Sequence, residues 1–141
     1  MSEKIVFSAK KGKQIAVFIE NEPGTLAAVT EILGKQGINI FALTLAEGID
    51  HGYVRMVVDR YDEARKLLVQ MGQLVIDRDV VLLELANKAG SLAAVTRLWA
   101  AAGINLEYAY CANSPGVDKG MVIVRVNDTD KAIKLLQDMP V

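Results

Sequence analysis

The 141-residue chain has one histidine, one cysteine, one tryptophan and three prolines, and neither sign of charge prevails. A single cysteine cannot form a disulfide within one chain, which excludes the cysteine-stapled scaffolds of small secreted proteins. One histidine and one cysteine cannot supply the ligand set of a structural zinc site, so neither metal nor cofactor is expected. Sixteen Lys and Arg against seventeen Asp and Glu, a net charge of −1, leave no basic stripe for nucleic acid. No apolar run approaches the roughly 18–20 residues that cross a bilayer. Met1-Ser2-Glu3-Lys4, followed soon by Lys10-Lys11-Gly12-Lys13, lacks the pattern of a signal peptide; a cytoplasmic location is the expectation. What the chain does have is 52% hydrophobic residues in 15.3 kDa, enough for one ordinary core or two very small ones.

An internal repeat decides between these. Pro23-Gly24-Thr25-Leu26-Ala27-Ala28-Val29-Thr30 returns as Ala89-Gly90-Ser91-Leu92-Ala93-Ala94-Val95-Thr96, and Gly37-Ile38-Asn39-Ile40 as Gly103-Ile104-Asn105-Leu106, both at an offset of 66. After a two-residue insertion, Gly52 matches Gly120 and Ala64-Arg65-Lys66-Leu67-Leu68 matches Ala132-Ile133-Lys134-Leu135-Leu136. Two copies are too few for a solenoid, so we read two domains in tandem, 1–72 and 73–141.

Each copy reads as strand, helix, strand, strand, helix. Ile15–Ile19 and Val80–Leu85 are short apolar strands. Turn residues at 21–25 and 87–91 lead into helices whose inner stripes are Leu26, Val29, Ile32, Leu33 and Leu92, Val95, Leu98, Trp99. Gly37 and Gly103 are placed as C-terminal caps. Further strands are expected at 38–46, 53–58, 104–112 and 121–126, and closing helices at 62–71 and 129–138, with Asp62 and Thr129 or Asp130 at their caps. With one more strand each, these are α+β sandwiches of the ferredoxin-like βαββαβ type. Leu74–Ile76 supplies a closing strand, whereas only Pro140-Val141 follow the last helix; Ile5–Ala9 is an extra strand at the start. The expectation is therefore a permuted ββαββα order. Ile5–Ala9 folds back through Lys10–Lys13 onto Ile15–Ile19, and Leu74–Ile76 folds back through Asp77–Asp79 onto Val80–Leu85. The long second strands, Asn39–Leu45 and Asn105–Cys111, are expected on sheet edges. Their pairing, within one chain or between two, would give a continuous eight-stranded antiparallel sheet.

Catalytic constellations are scarce. His51 sits alone in a polar turn, Cys111 reads as a buried inert thiol, and no Walker or G-x-G-x-x-G motif is present. Tyr108 and Tyr110 share one face, chiefly as core. The chemistry that recurs lies in Asn21, Pro23, Gly24, Thr25 and Asn39, matched by Asn87, Gly90, Ser91 and Asn105. A glycine opening a helix lets a ligand approach free backbone N–H groups, where the dipole favours a carboxylate. Asparagine meets an ammonium through its carbonyl or a carboxylate through its amide. The set suits a zwitterion, although the same asparagines serve equally as turn residues.

Ile-Glu-Asn-Glu-Pro-Gly-Thr-Leu (19–26) with Gly-Ile-Asn-Ile (37–40) resembles the ACT domain, a regulatory module of amino-acid biosynthetic enzymes. Ala-Asn-Lys-Ala-Gly-Ser-Leu (86–92) with Gly-Ile-Asn-Leu (103–106) is a second match, with Ala89 where proline is usual. The resemblance covers nearly the whole chain. It implies the same sandwich, an effector amino acid bound between paired ACT domains, and ligand contacts from Asn21, Pro23, Gly24, Thr25, Leu26, Asn39 and Ile40. The repeat adds Asn87, Gly90, Ser91, Leu92, Asn105 and Leu106. Serine-sensing members use a histidine two residues before the loop asparagine; Ile19 and Leu85 stand there in this chain.

The expected function is thus a non-catalytic regulatory module for a free amino acid, a homodimer acting on a regulated enzyme, with no nucleic-acid or membrane partner. Two alternatives are an assembly module without ligand and a small hydrolase on the same sandwich. The hydrolase would need an arginine near the first loop, and 20–30 contains none.

Overall fold

The computed structural model of the chain describes residues 4–46 and 51–138. The element order is β1 (Val6–Glu20), α1 (Thr25–Lys35), β2 (Ile40–Ala46), β3 (His51–Val58), α2 (Tyr61–Gln70), β4 (Leu74–Ala86), α3 (Ser91–Ala101), β5 (Leu106–Cys111), β6 (Lys119–Val126) and α4 (Thr129–Gln137). The chain divides into two compact units, Lys13–Arg78 and Asp79–Val141 with Met1–Gly12.

In the Lys13–Arg78 unit, the second half of β1 alternates buried Ile15, Val17 and Ile19 with Ala16, Phe18 and Glu20. That period of two lays one face against Val29 and Leu33 of α1 and Ala64 and Leu68 of α2. β3 pairs antiparallel with both β1 and β2. Helix α1 ends as the sequence predicts. Gly37 is left-handed (φ +71), its N–H donates to Gly34 O (3.0 Å), and Ile38 N–H donates to Leu33 O (3.0 Å). This is a Schellman motif, and Gly103 repeats it at α3. The caps of α2 and α4 fall earlier than expected, at Arg60 and Asp128; the Asp128 carboxylate accepts from Lys131 N–H.

The second unit repeats the plan. Val81, Leu83 and Leu85 of β4 and Val122, Val124 and Val126 of β6 pack on Val95, Trp99, Ala132 and Leu136. The Trp99 indole N–H, which burial would otherwise strand, donates to Ala132 O at 3.0 Å.

The folded-back hairpins do not form. β1 runs unbroken through Lys10–Lys13, and its first half belongs to the second unit: Ala86 N–H donates to Ile5 O (2.8 Å), and Val6 and Ala9 pack on the Trp99 core. Gly12 serves close approach, not a turn, since a β-carbon there would come within 2.5 Å of Leu82 Cδ1. The lysine run stays extended with its side chains outward, Lys11 pairing with Asp130 at 3.1 Å. β4 likewise passes straight through Asp77–Asp79. Because β1 and β4 each serve both units, the sheet has six strands in the order β2-β3-β1-β4-β6-β5, not eight. β2 and β5 stand at opposite ends of that order and do not pair with each other in the chain.

Two outcomes follow. Val6→Asp or Ala9→Asp, each placing a carboxylate against the second core, should lower stability by about 1–3 kcal/mol in urea unfolding read by Trp99 fluorescence. An unmoved Trp99 transition would contradict the strand assignment. The Tyr61 phenol is pushed up from its ordinary value near 10, first by burial and then by the neighbouring Asp77 carboxylate. A raised folded-state pKa means the unfolded chain ionises first, so Tyr61's contribution is complete below pH 10 and lost above it. The stability gap between wild type and Tyr61→Phe should therefore hold constant below pH 10 and narrow as the pH rises above it.

Candidate functional site in the loops after the first strands

β1 ends at Glu20 and α1 begins at Thr25, leaving Asn21–Gly24 to turn the chain. Glu22 N–H donates to Glu20 O (2.9 Å), and Gly24 takes a left-handed N-cap conformation (φ +90, ψ −10). The Thr25 hydroxyl lies 2.8 Å from Glu20 O and 3.0 Å from Glu22 O, tying the loop to the strand end. Glycine has no side chain to cap α1, and the first turn carries no acidic residue. The positive end of the helix dipole is therefore not offset by the helix's own side chains.

Beside this loop lies a cavity of about 140 Å³ lined by Ile19, Glu20, Asn21, Glu22, Gly24, Thr25, Leu26, Leu45, Ala46 and Gly52. It is smaller than the roughly 300–1,000 Å³ of pockets for drug-sized ligands. Two glutamates, an asparagine and a helix start meet there on an apolar floor.

The second loop repeats the backbone. Gly90 is left-handed (φ +91), Lys88 N–H donates to Ala86 O (2.9 Å), and α3 has neither a side-chain cap nor an acid in its first turn. The Asn87 amide donates to Ser114 O (3.0 Å) and Val117 O (2.7 Å), while its oxygen accepts from the Asn113 amide (3.0 Å). Ser91 is buried, and its hydroxyl has no partner among the described residues. The groove here, lined by Lys4, Phe7, Ala86, Asn87, Lys88, Gly116, Val117 and Asp118, is wider and more open.

A family model for the ACT domain pair matches residues 11–139. The chain belongs to the ACT domain family. Protein BT0572 from Bacteroides thetaiotaomicron is similar over 92% of this chain and 89% of its own, at 36% identity and a TM-score of 0.86. The regulatory subunit of aspartate kinase from Thermus thermophilus shares the fold at 20% identity and a TM-score of 0.69, covering 94% of this chain and 97% of its own. Aspartate kinase from Synechocystis, at 16% identity and a TM-score of 0.63, covers all of this chain and 29% of its own. Comparison with curated proteins finds no match.

Each ACT domain divides its expected site residues between two ends. Asn21, Gly24, Thr25 and Leu26 meet at the first cavity, with Pro23 exposed on the loop beside them. Asn39 lies at the opposite end of the β2–β3 ladder: its N–H donates to Asp59 Oδ1 (2.8 Å), and its carbonyl accepts from Asp59 N–H (3.0 Å). Ile40 beside it packs on the core. Asn105 makes the same reciprocal pair with Asn127 (2.9 and 3.1 Å), and Leu106 packs on the second core. Gly90 and Ser91 flank the second helix start, and Leu92 is exposed.

Ile19, Glu20, Glu22, Leu45, Ala46 and Gly52 join the site without having been expected. The repeated glycine was their signal, for a β-carbon at Gly52 would come within 2.7 Å of Ala46 O. The His51 side chain and residues 47–50 lie outside the described residues. Cys111 is exposed, not buried: β5 alternates with period two, leaving Tyr108 and Tyr110 on its half-buried side, where they are not among the residues packed on the second core, and Cys111 on the exposed side. Among the described residues, no cluster of His, Cys, Asp and Glu suits a metal, and no helix is long and apolar enough to cross a membrane.

A β-carbon at Gly24 or Gly90 would meet nothing within 4 Å, so an alanine there is opposed by backbone conformation alone. Gly24→Ala and Gly90→Ala should each cost about 1–2 kcal/mol in denaturant unfolding. No loss in either would mean the left-handed turn is not required.

Proposed function

We propose that the chain is a non-catalytic regulatory module that binds a free amino acid at the loop of its first ACT domain. The carrying observation is the small cavity where an uncapped helix start faces two glutamates and an asparagine. A carboxylate is favoured at the helix N-terminus, while an ammonium is favoured by Glu20, Glu22 and the Asn21 carbonyl. The cavity thus offers both signs of charge to one small molecule, and the Leu26 and Leu45 floor accepts an aliphatic portion. The fold shared with an aspartate kinase regulatory subunit supports a regulatory role. In this reading the protein acts in the cytoplasm, on a regulated enzyme, without nucleic acid or membrane.

Asn39 and Asn105 stand at the far ends of their own domains, so each reaches an effector only at another domain's loop. We take the protein to be a homodimer in which a partner chain supplies that contact. The exposed Phe41, Leu43 and Leu45 of β2 favour association in their own right. They also support the second reading, an assembly module with no ligand.

Thermal-shift screening of the twenty amino acids separates the two. A stabilising shift from one or a few of them is expected, and a flat response across the set leaves assembly as the function. With the responding amino acid, Asn21→Ala should raise Kd about tenfold, the effect of one lost net hydrogen bond. Asn39→Ala and Asn105→Ala should also weaken binding without unfolding the protein. Unchanged affinity in all three places the site elsewhere.

A further inference from the structure

In the second unit, Val6 of β1, Leu85 of β4 and Val122 of β6 pack on the Trp99 core beneath α3 and α4. Side chains alternate along a strand, so Phe7, Ala86 and Met121 turn to the face away from those helices. Lys119, paired with Ala86 across the β4–β6 ladder, shares that face. Phe7, Ala86 and Lys4 line a groove of about 530 Å³ there, together with the 116–118 turn. That volume suits a small molecule. Gly90 and Ser91, at the start of α3, are not part of its lining.

The groove is built before any ligand arrives. Asn87 ties the turn to the end of β4: its amide donates to Ser114 O (3.0 Å) and Val117 O (2.7 Å), and its backbone N–H to Asp118 O (2.8 Å). Phe7 in turn holds two ammonium groups, with Lys119 Nζ 4.3 Å and Lys4 Nζ 5.6 Å from its ring centroid. An aromatic ring attracts a cation through its quadrupole but carries no net charge. It therefore positions these ammoniums without neutralising them. Lys119 has Glu84 only at 4.0 Å, the outer limit of an ion pair, and Lys4 has no carboxylate partner among the described residues. Lys88 is a further positive residue of the lining, and Asp118 is the one acidic residue described there.

We propose that this groove is a ligand site for a small organic dianion, a phosphate ester or a dicarboxylate carried on an apolar body. Two negative charges match the Lys4 and Lys119 ammoniums, and the apolar body meets Phe7 and the half-exposed Val117. Asp118 weakens the attraction, but the lysines outnumber it. The groove belongs wholly to the second unit, whereas the amino-acid cavity is lined by residues of the Lys13–Arg78 unit. The two sites stand or fall separately.

Titrating the isotope-labelled full chain with phenyl phosphate and with phthalate, read by amide NMR, tests the site. Saturable shifts of the Phe7, Ala86 and Val117 amides are expected. Saturation by phenyl phosphate alone assigns a phosphate ester, by phthalate alone a dicarboxylate, and by both the shared dianion. Saturation by neither overturns the site. Benzoate, with one charge fewer, should bind about fivefold more weakly, and equal affinity overturns the dianion. Lys4→Met and Lys119→Met keep an apolar stem and should each raise Kd about fivefold. Lys134→Met, exposed on α4, removes the same charge from the helix side and should leave Kd unchanged. An equal loss there means unspecific attraction and overturns the groove. Failure of all these probes leaves the amino-acid reading in place, because none of them is aimed at Asn21–Thr25.

Discussion

A strand edge with unpaired N–H and C=O groups must be paired, covered or left to water, and this requirement shapes the whole chain. A four-stranded sandwich needs a fourth strand, and neither repeat keeps one wholly to itself. The second half of β1 is central in the Lys13–Arg78 unit, while its first half lies on the edge of the other. β4 mirrors this, an edge in its first half and central in its second. Two long strands do the work of four short ones. Each unit is then completed by residues whose covalent continuation forms the middle of its counterpart.

That economy depends on the midpoints of β1 and β4 staying extended. The Lys10–Lys13 and Asp77–Asp79 segments look like turns in composition. In the structure, Gly12 lets Leu82 approach, Lys11 reaches Asp130, Arg65 pairs with Asp77 at 2.9 Å, and Arg125 donates to Asp79 O at 2.8 Å. Lys11, Asp77 and the Asp79 carbonyl thus each have a partner while the chain stays in strand conformation. Turn propensity is a local preference, and backbone pairing along a strand outweighs it.

The loops show the same logic at the level of chemistry. Gly24 and Gly90 share φ, ψ and helix-start hydrogen bonds almost atom for atom, so duplicated sequence has become duplicated backbone. Side-chain partners then come in part from distant residues. Asn21 borders one cavity, and Asn87, bonded into the 113–118 turn, borders another. Thr25 bonds two carbonyls of its own loop, whereas Ser91, one methyl smaller, is buried with no partner for its hydroxyl among the described residues. A ligand site is a few side chains and a fold is many, so copies that share a backbone need not share a site.

Much of this was decided by the sequence alone. The offset of 66, the apolar periods of 2 and 3.6, and the glycines at 24, 37, 90 and 103 dictate two α+β units, their helix ends and their two exposed loops, because each acts within a few residues of itself. The owner of Ile5–Ala9, the count of six strands, the outward turn of Cys111 and the commitment of Asn87 were decided only by tertiary structure. Each depends on a partner far along the chain: Ala86 for Ile5, Val117 for Asn87. A hydrogen bond between distant residues leaves no period in the sequence, and the choice among such partners is made by the packed fold as a whole.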